Sequence, residues 1–342
     1  MKYSGIGGQA VIEGVMMKGK SQYAVSVRKP DGQIEVKVED YKSLKEKYTI
    51  AKLPIIRGIF AFAESLKMGM GTLNYSASFW EEEEEKEKES AKENQKTNDL
   101  WMGLALVAAI IVAIGLFVLL PFFISEKLHK IVPSIQLRGL IEGVIRVALF
   151  VGYVKAISLL EDIRRVFMYH GAEHKCINCI ENGMELTVEN AKKQTMVHKR
   201  CGTSFMLVVM FVSILLFMFI SVPNMWIRMV LRILLIPVIA GLSYEFISLA
   251  GKSENPVVNV LSKPGLWLQA LTTREPDDSM LEVAIASVEA VFDWRDFLAH
   301  YEEEKPEEEG FEVVDVEDEN DEILQALDRY FDEAAPTEEK EQ

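Results

Sequence analysis

The chain has 342 residues, a formal net charge of −15, 49% hydrophobic residues, 26% charged residues and a mean hydropathy of +0.10. A chain this apolar and this charged must keep the two kinds of residue in separate stretches. The acidity is local: residues 301–342 hold 19 acidic and 3 basic residues, leaving the other 300 near neutrality with 34 basic and 33 acidic. Basic residues form no stripe with interleaved aromatics, which argues against nucleic acid as a partner and leaves the lipid bilayer as the expected one.

Residues 1–50 read as a small β-rich cytoplasmic unit. YAVSVRK (23–29) and QIEVKVED (33–40) alternate around Pro30-Asp31-Gly32, the pattern of a β-hairpin. The preceding GIGGQAVIEGVMMKG is rich in glycines that permit tight turns, and it contains neither phosphate-loop spacing. Residues 54–80 carry Arg57, Glu64 and Lys67 at helical intervals in an apolar background, predicting an interfacial amphipathic helix. Residues 81–99 are a charged linker of low complexity.

Residues 100–250 hold the expected membrane bundle. The uncharged run 100–120 matches the ~20 residues that cross a hydrocarbon core. Residues 203–223 and 225–250 are two further spans. The stretch 138–160 is a fourth, whose Glu142, Arg146 and Lys155 must face other helices. Four spans put both termini and the loop 161–202 on one side. That loop carries Arg164, Arg165, Lys175, Lys192, Lys193, Lys199 and Arg200, which places it in the cytoplasm. The start, MKYSGIGGQA, lacks the charged and apolar regions of a secretory signal, so the first span serves for insertion. The fold expected is therefore mainly α, a multi-pass cell-membrane protein with about four transmembrane helices and a small N-terminal hairpin unit.

Beyond the bundle, residues 251–300 divide into a proline-interrupted loop along the membrane face, 251–276, and an amphipathic helix capped by Asp277-Asp278. The acidic tail 301–342 has a disordered composition, although ILQALDRYF (323–331) has the pattern of a short helix that docks on a protein partner.

The chemistry concentrates between residues 170 and 201, which contain three of the five histidines and all three cysteines. HGAEHK (170–175) has H-x-x-E-H spacing, so on a helix His170 and His174 share one face with Glu173 beside them as a base. HKRCGTS (198–204) sits just before the third expected span, at the same membrane face. The short predicted helix TVENAKKQTMV (187–197) lets the two groups fold together. His170, His174, His198 and Cys201 are thus candidate ligands of Zn²⁺, with Glu245 and Glu13 as further candidates. Glu245 lies deep in an apolar span and is expected to be paired with Arg146, Lys155 or a metal. Cys176-x-x-Cys179 has a redox or all-thiolate reading, but lacks the strand-to-helix context of a thioredoxin-like motif.

Several motifs in order, GGQAVIEGVMMKG (7–19), the PDG hairpin, PIIRG with AESL (54–66), YHGAEHK, ELTVENA, HKRCGTSF, SYEFI and LTTREPDDSMLEVAI (271–285), resemble the bacterial YqhQ-like membrane proteins. That resemblance implies a domain of unknown function described as a metal-dependent enzyme without an established substrate, with His170, Glu173, His174, His198 and Cys201 at signature positions. Two positions depart from the family pattern, where threonine is commoner than Cys176 and proline commoner than Lys199. The first departure makes the C-x-x-C incidental. The function expected is a zinc-dependent hydrolase at the cytoplasmic membrane interface, acting on a peptide or lipid-linked substrate. Its rivals are a non-enzymatic scaffold or assembly factor with a structural zinc and, less favoured, a transporter using Glu142, Arg146 and Glu245.

Overall fold

The computed structural model describes residues 2–44, 48–86, 95–198, 201–220, 222, 224–250 and 256–303. Residues through Leu298 form one compact unit; of a second, beginning at Ala299, only the end of one helix is described, so the acidic tail after Glu303 lies outside the described residues. The architecture is mainly helical with one small antiparallel sheet at the N-terminus.

The sheet has four strands in the order β1-β2-β3-β4: β1 Gly7–Val11, β2 Gly14–Lys18, β3 Gln22–Arg28 and β4 Ile34–Asp40. The expected hairpin is β3–β4, in register from Gln22↔Asp40 to Arg28↔Ile34, with Gly32 at φ 84° in its turn. The glycine-rich stretch before it is a second hairpin rather than a run of turns. β2 is central and covered on both faces, with Gly14 to Met17 all buried, so it lacks the polar alternation that marks a half-exposed strand.

Helix α1 (Ile56–Lys86) covers one face of the sheet, where Met68, Tyr75 and Phe79 meet Val11, Met16, Val25 and Val27. It includes the first acidic residues of the expected linker; residues 87–94 lie outside the described ones. Helix α2 (Gln95–Ile114) runs through one π-turn, Gly115–Leu119, into α3 (Leu120–Lys127). After a turn, α4 (Ile135–Ile157) descends and bends by 101° into α5 (Glu161–Glu181), which carries the histidine motif. Then come the short α6 (Val188–Lys192), α7 (Gly202–Met218), α8 (Met225–Leu234), α9 (Ile236–Ala250), α10 (Pro256–Thr272), α11 (Asp278–Glu289) and α12 (Trp294–Glu303).

By length and composition these helices show fewer than the four expected spans. Among the described residues, one helix, Gly103–Lys130, is long and apolar enough to cross a membrane by itself, or up to three if each bent pair is one span. The pair α8 and α9 is bent by 45°, and α7, with 17 residues, extends about 25 Å, short of a ~30 Å hydrocarbon core.

Residues 256–272, expected as part of a loop, are helical. Pro256 occupies the first helical position, where no N–H is needed, and Pro264 sits inside α10 at the cost of one backbone hydrogen bond. The expected amphipathic helix begins as read, with the Asp277 side chain accepting from Met280 N at 2.9 Å, but it stops at Glu289 and restarts as α12. The main core lies where Tyr169, Ala172, Cys176, Ile177 and Ile180 of α5 pack against Met280, Leu281, Ala284 and Val288 of α11, with Val15 and Met17 of β2 above.

The buried charges of the helical bundle are tied to one another. Glu142 accepts from Arg146 Nη2 at 2.8 Å and pairs with Arg232, while Arg146 donates to Ser213 Oγ at 2.6 Å and to the Phe117 carbonyl of the π-turn at 2.7 Å. Arg228 pairs with Glu126 at 2.8 Å. Glu245 is held by neither Arg146 nor Lys155. Its carboxylate pairs with Arg57 (Nε to Oε1, 2.7 Å) and accepts from Ile55 N at 3.2 Å, because the start of α1 lies against α9.

Candidate metal centre

Helix α5 puts His170, Glu173, His174, Ile177 and Glu181 along one side through its 3.6-residue period. Two segments close over that side. The chain after α10 crosses α5 at Gly171, where any Cβ would overlap the Arg274 carbonyl oxygen. This close approach, fixed by Arg274 N donating to Phe167 O at 2.9 Å, delivers the Thr272 carbonyl to His170 Nδ1 at 2.8 Å. On the other side, residues 195–198 are drawn in by Asn178, whose Nδ2 donates to Thr195 O at 2.7 Å and Val197 O at 3.0 Å. That brings the Met196 carbonyl to His174 Nδ1 at 2.5 Å.

Both imidazoles therefore spend Nδ1–H on a backbone carbonyl and present the Nε2 lone pair inward, the usual way metal-binding histidines are oriented. His170 Nε2 stands 3.1 Å from Cys201 Sγ. His174 is 1% exposed and its Nε2 has no partner, a costly state for a buried ring nitrogen unless something else uses the lone pair. One donor atom from each of His170, His174 and Cys201 lies within 4.8 Å of the others. Cys201 is the N-cap of α7, beside Thr203 Oγ1 at 2.7 Å.

His198 belongs to the neighbourhood but not to this trio. Its ring lies 5.6 Å from that of His174, and its Nε2 is 3.6 Å from Glu181 Oε2. Glu181 is fully buried and also accepts from Ser4 N and Ser4 Oγ at 3.0 and 2.8 Å. Its position eleven residues after His170 on the same helix was the available signal. Gln269 of α10 is the second residue that sequence reading passed over. It is fully buried, accepts from His198 N at 2.9 Å, and donates to His198 O and Ser204 Oγ at 2.7 and 2.8 Å. A single glutamine in a tryptophan-leucine-alanine stretch gives no sign of such a clamp.

Glu173, on the same side of the helix, reaches toward β1. A Cβ on Gly8 would fall 2.9 Å from both Cγ and Cδ of Glu173, so glycine there makes room for the carboxylate. Burial pushes the Glu173 carboxyl up to about 7, opposed by His170 and the Gly8 N–H. Glu173, His170, His198 and Cys201 line one cavity of about 490 Å³ with residues 6–10 and parts of α1.

The other candidates stand elsewhere. Glu13, at the β1–β2 turn with φ 50°, pairs with Arg165 (Nη2 to Oε2, 2.5 Å) and accepts from Tyr169 OH at 3.2 Å. Glu245 is held by Arg57, as above. Cys176 and Cys179 are buried in the core; burial raises both thiols, Cys179 to about 11, and Cys179 Sγ lies 3.2 Å from Glu185 O.

Residues 53–294 match the family described as "Protein of unknown function (DUF1385)". The chain is similar to the "Uncharacterized protein YqhQ" of Bacillus subtilis (strain 168), with 37% identity over 286 residues, covering 82% of this chain and 90% of that protein. No solved structure matches it. With the family match running from the start of α1 to the end of the core, the chain belongs to the DUF1385 family of YqhQ-like proteins.

Proposed function

We propose that the chain is an integral membrane, zinc-dependent hydrolase whose site faces the cytoplasm at the membrane surface. One observation carries the reading: one ring nitrogen each of His170 and His174 and the Sγ of Cys201 converge within 4.8 Å, with both imidazoles oriented by backbone carbonyls. Imidazole and thiolate are zinc's usual donors, and three protein ligands leave a position for water or substrate. Zinc bound there would supply Lewis-acid chemistry, polarising a carbonyl and lowering the pKa of a water. Glu173, lining the same cavity, takes a proton from the attacking water and returns it to the leaving group. His198, beside Glu181, faces the cavity as a further hydrogen-bonding group.

The membrane part of the reading is supported by the 28-residue apolar helix Gly103–Lys130. In this reading α4, α7 and the α8–α9 pair make three further crossings, and the charge network of Glu142, Arg146 and Arg232 lies inside the bundle. The bend after α4 then lays α5 along the cytoplasmic face, with the basic residues of 161–202.

The test is Glu173→Gln in detergent-purified protein, assayed with p-nitrophenyl acetate as a generic acyl probe. Metal should be retained and turnover should fall by about a hundredfold or more. Turnover equal to wild type would contradict the assignment of Glu173. A scaffold with a structural zinc is the second reading, favoured by the nearness of His198 to His174 as a fourth ligand. In that case Glu173→Gln changes nothing while His198→Ala loses the metal.

A further inference from the structure

The sheet has two edge strands, and they are treated differently. β4 carries Glu35, Lys37 and Glu39, with Lys37 and Glu39 paired at 2.6 Å, the sort of charged edge that discourages strand addition. β1 reads Gly-Gly-Gln-Ala-Val, with no charge and no proline.

Register tells which backbone groups of β1 are free of β2. Val11 and Gly14 flank the two-residue turn Ile12-Glu13, so Val11↔Gly14, Gln9↔Met16 and Gly7↔Lys18 are the hydrogen-bonded pairs. The N–H and C=O groups of Gly8 and Ala10 therefore point away from β2. Ile12 N, next along the edge, is taken by Ser76 Oγ of α1 at 3.2 Å, and the Glu173 side chain lies beside Gly8. Among the described residues the Gly8 carbonyl and both backbone groups of Ala10 are left, and residues 7–10 form one wall of the cavity whose other wall holds His170, Glu173 and Cys201.

We propose that this edge of β1 docks an extended polypeptide segment, whose backbone pairs with Gly8 and Ala10 and lies across the cavity. Main-chain pairing to an open edge gives affinity with little demand on side-chain identity. The five residues of β1 offer about 17 Å of edge. A phospholipid headgroup would call for clustered cations, and among the described residues Lys18 is the one lysine or arginine lining the cavity. What happens to the docked segment rests on the hydrolase reading: amide hydrolysis breaks the C–N bond, giving the hydroxyl of water to the acyl carbon and its proton to the amine. The docking itself does not depend on that chemistry.

The test uses the full-length protein, purified in detergent and immobilised, with a random-sequence decapeptide pool and the same pool N-methylated at alternate residues. Bound peptides are counted by mass spectrometry, and metal is measured on the same samples. Wild type should retain the unmodified pool about tenfold better than the N-methylated one, as loss of one or two main-chain hydrogen bonds requires. Ala10→Pro, which removes an N–H from an edge strand, should reduce retention to that of the N-methylated pool. If Ala10→Pro melts early, the comparison of the two pools on wild type decides. Equal retention of the two pools, or none, overturns the docking proposal. Metal present with no peptide retained leaves the hydrolase reading standing alone; peptide retained without metal does the reverse.

Discussion

At His174 the Met196 carbonyl accepts from Nδ1–H, so the ring offers the lone pair of Nε2, a nitrogen that is buried and unpartnered among the described residues. Such positioning is as much a property of the neighbours as of the histidine. Gln269 shows the same dependence from further away, since its amide is the clamp that sets where His198 and the start of α7 lie. Gln269→Ala should destabilise the protein by about 2–4 kcal/mol, because it leaves buried backbone groups of His198 unpaired. Chemical denaturation in detergent measures this. A change under about 0.5 kcal/mol would mean the clamp is dispensable. At this scale the sequence is legible where spacing encodes geometry: the four-residue interval brings His170 and His174 together, and Cys201 falls where a helix begins. It is silent where a lone polar residue acts across the fold, as Gln269 does. It misleads where a charge finds a partner remote in sequence, as Glu245 does with Arg57 and Glu13 with Arg165.

Helix α4 depends on a different kind of contact. Glu142 sits between Arg146 and Arg232, all at most 5% exposed, with Phe122 and Phe217 rings 4.5 and 5.0 Å from the Arg232 guanidinium. Removing the shared carboxylate strands two buried cations, so Glu142→Gln should cost about 3–5 kcal/mol, read as an early thermal transition in detergent. Glu282→Gln, which breaks the partly exposed pair with Arg28 at 2.9 Å, should cost under about 1 kcal/mol. Similar losses from the two changes would show that the inner network carries no special weight. Elements were legible where polar and apolar residues alternate at the period of the element: α11 has one face in water, and β3 and β4 alternate around a turn signal although β3 buries Ala24 through Val27. They were hidden where that contrast vanished or a breaker misled. β2 is covered on both faces, and α10 carries a proline at its start and another within.

For the whole molecule, the bend of 101° after α4 is the decisive feature, because it lays the motif helix across the bundle end and under the sheet. Hydropathy along the chain cannot reveal such a bend. The proposed orientation makes a topological prediction that the three buried native cysteines do not obscure. Ile131→Cys, in the turn between α3 and α4 and 79% exposed, should react with a membrane-impermeant thiol reagent on intact cells. Glu189→Cys, exposed on α6, should react only after permeabilisation. The opposite pattern would put the site outside the cell.

The central claim is that His170, His174 and Cys201 hold a metal, and it is tested most directly by elemental analysis of purified wild type beside His174→Ala. Wild type should carry about one equivalent of zinc, and the variant close to none, with near-native secondary structure by circular dichroism. Folded wild-type protein without metal, or equal metal in both proteins, would contradict the claim.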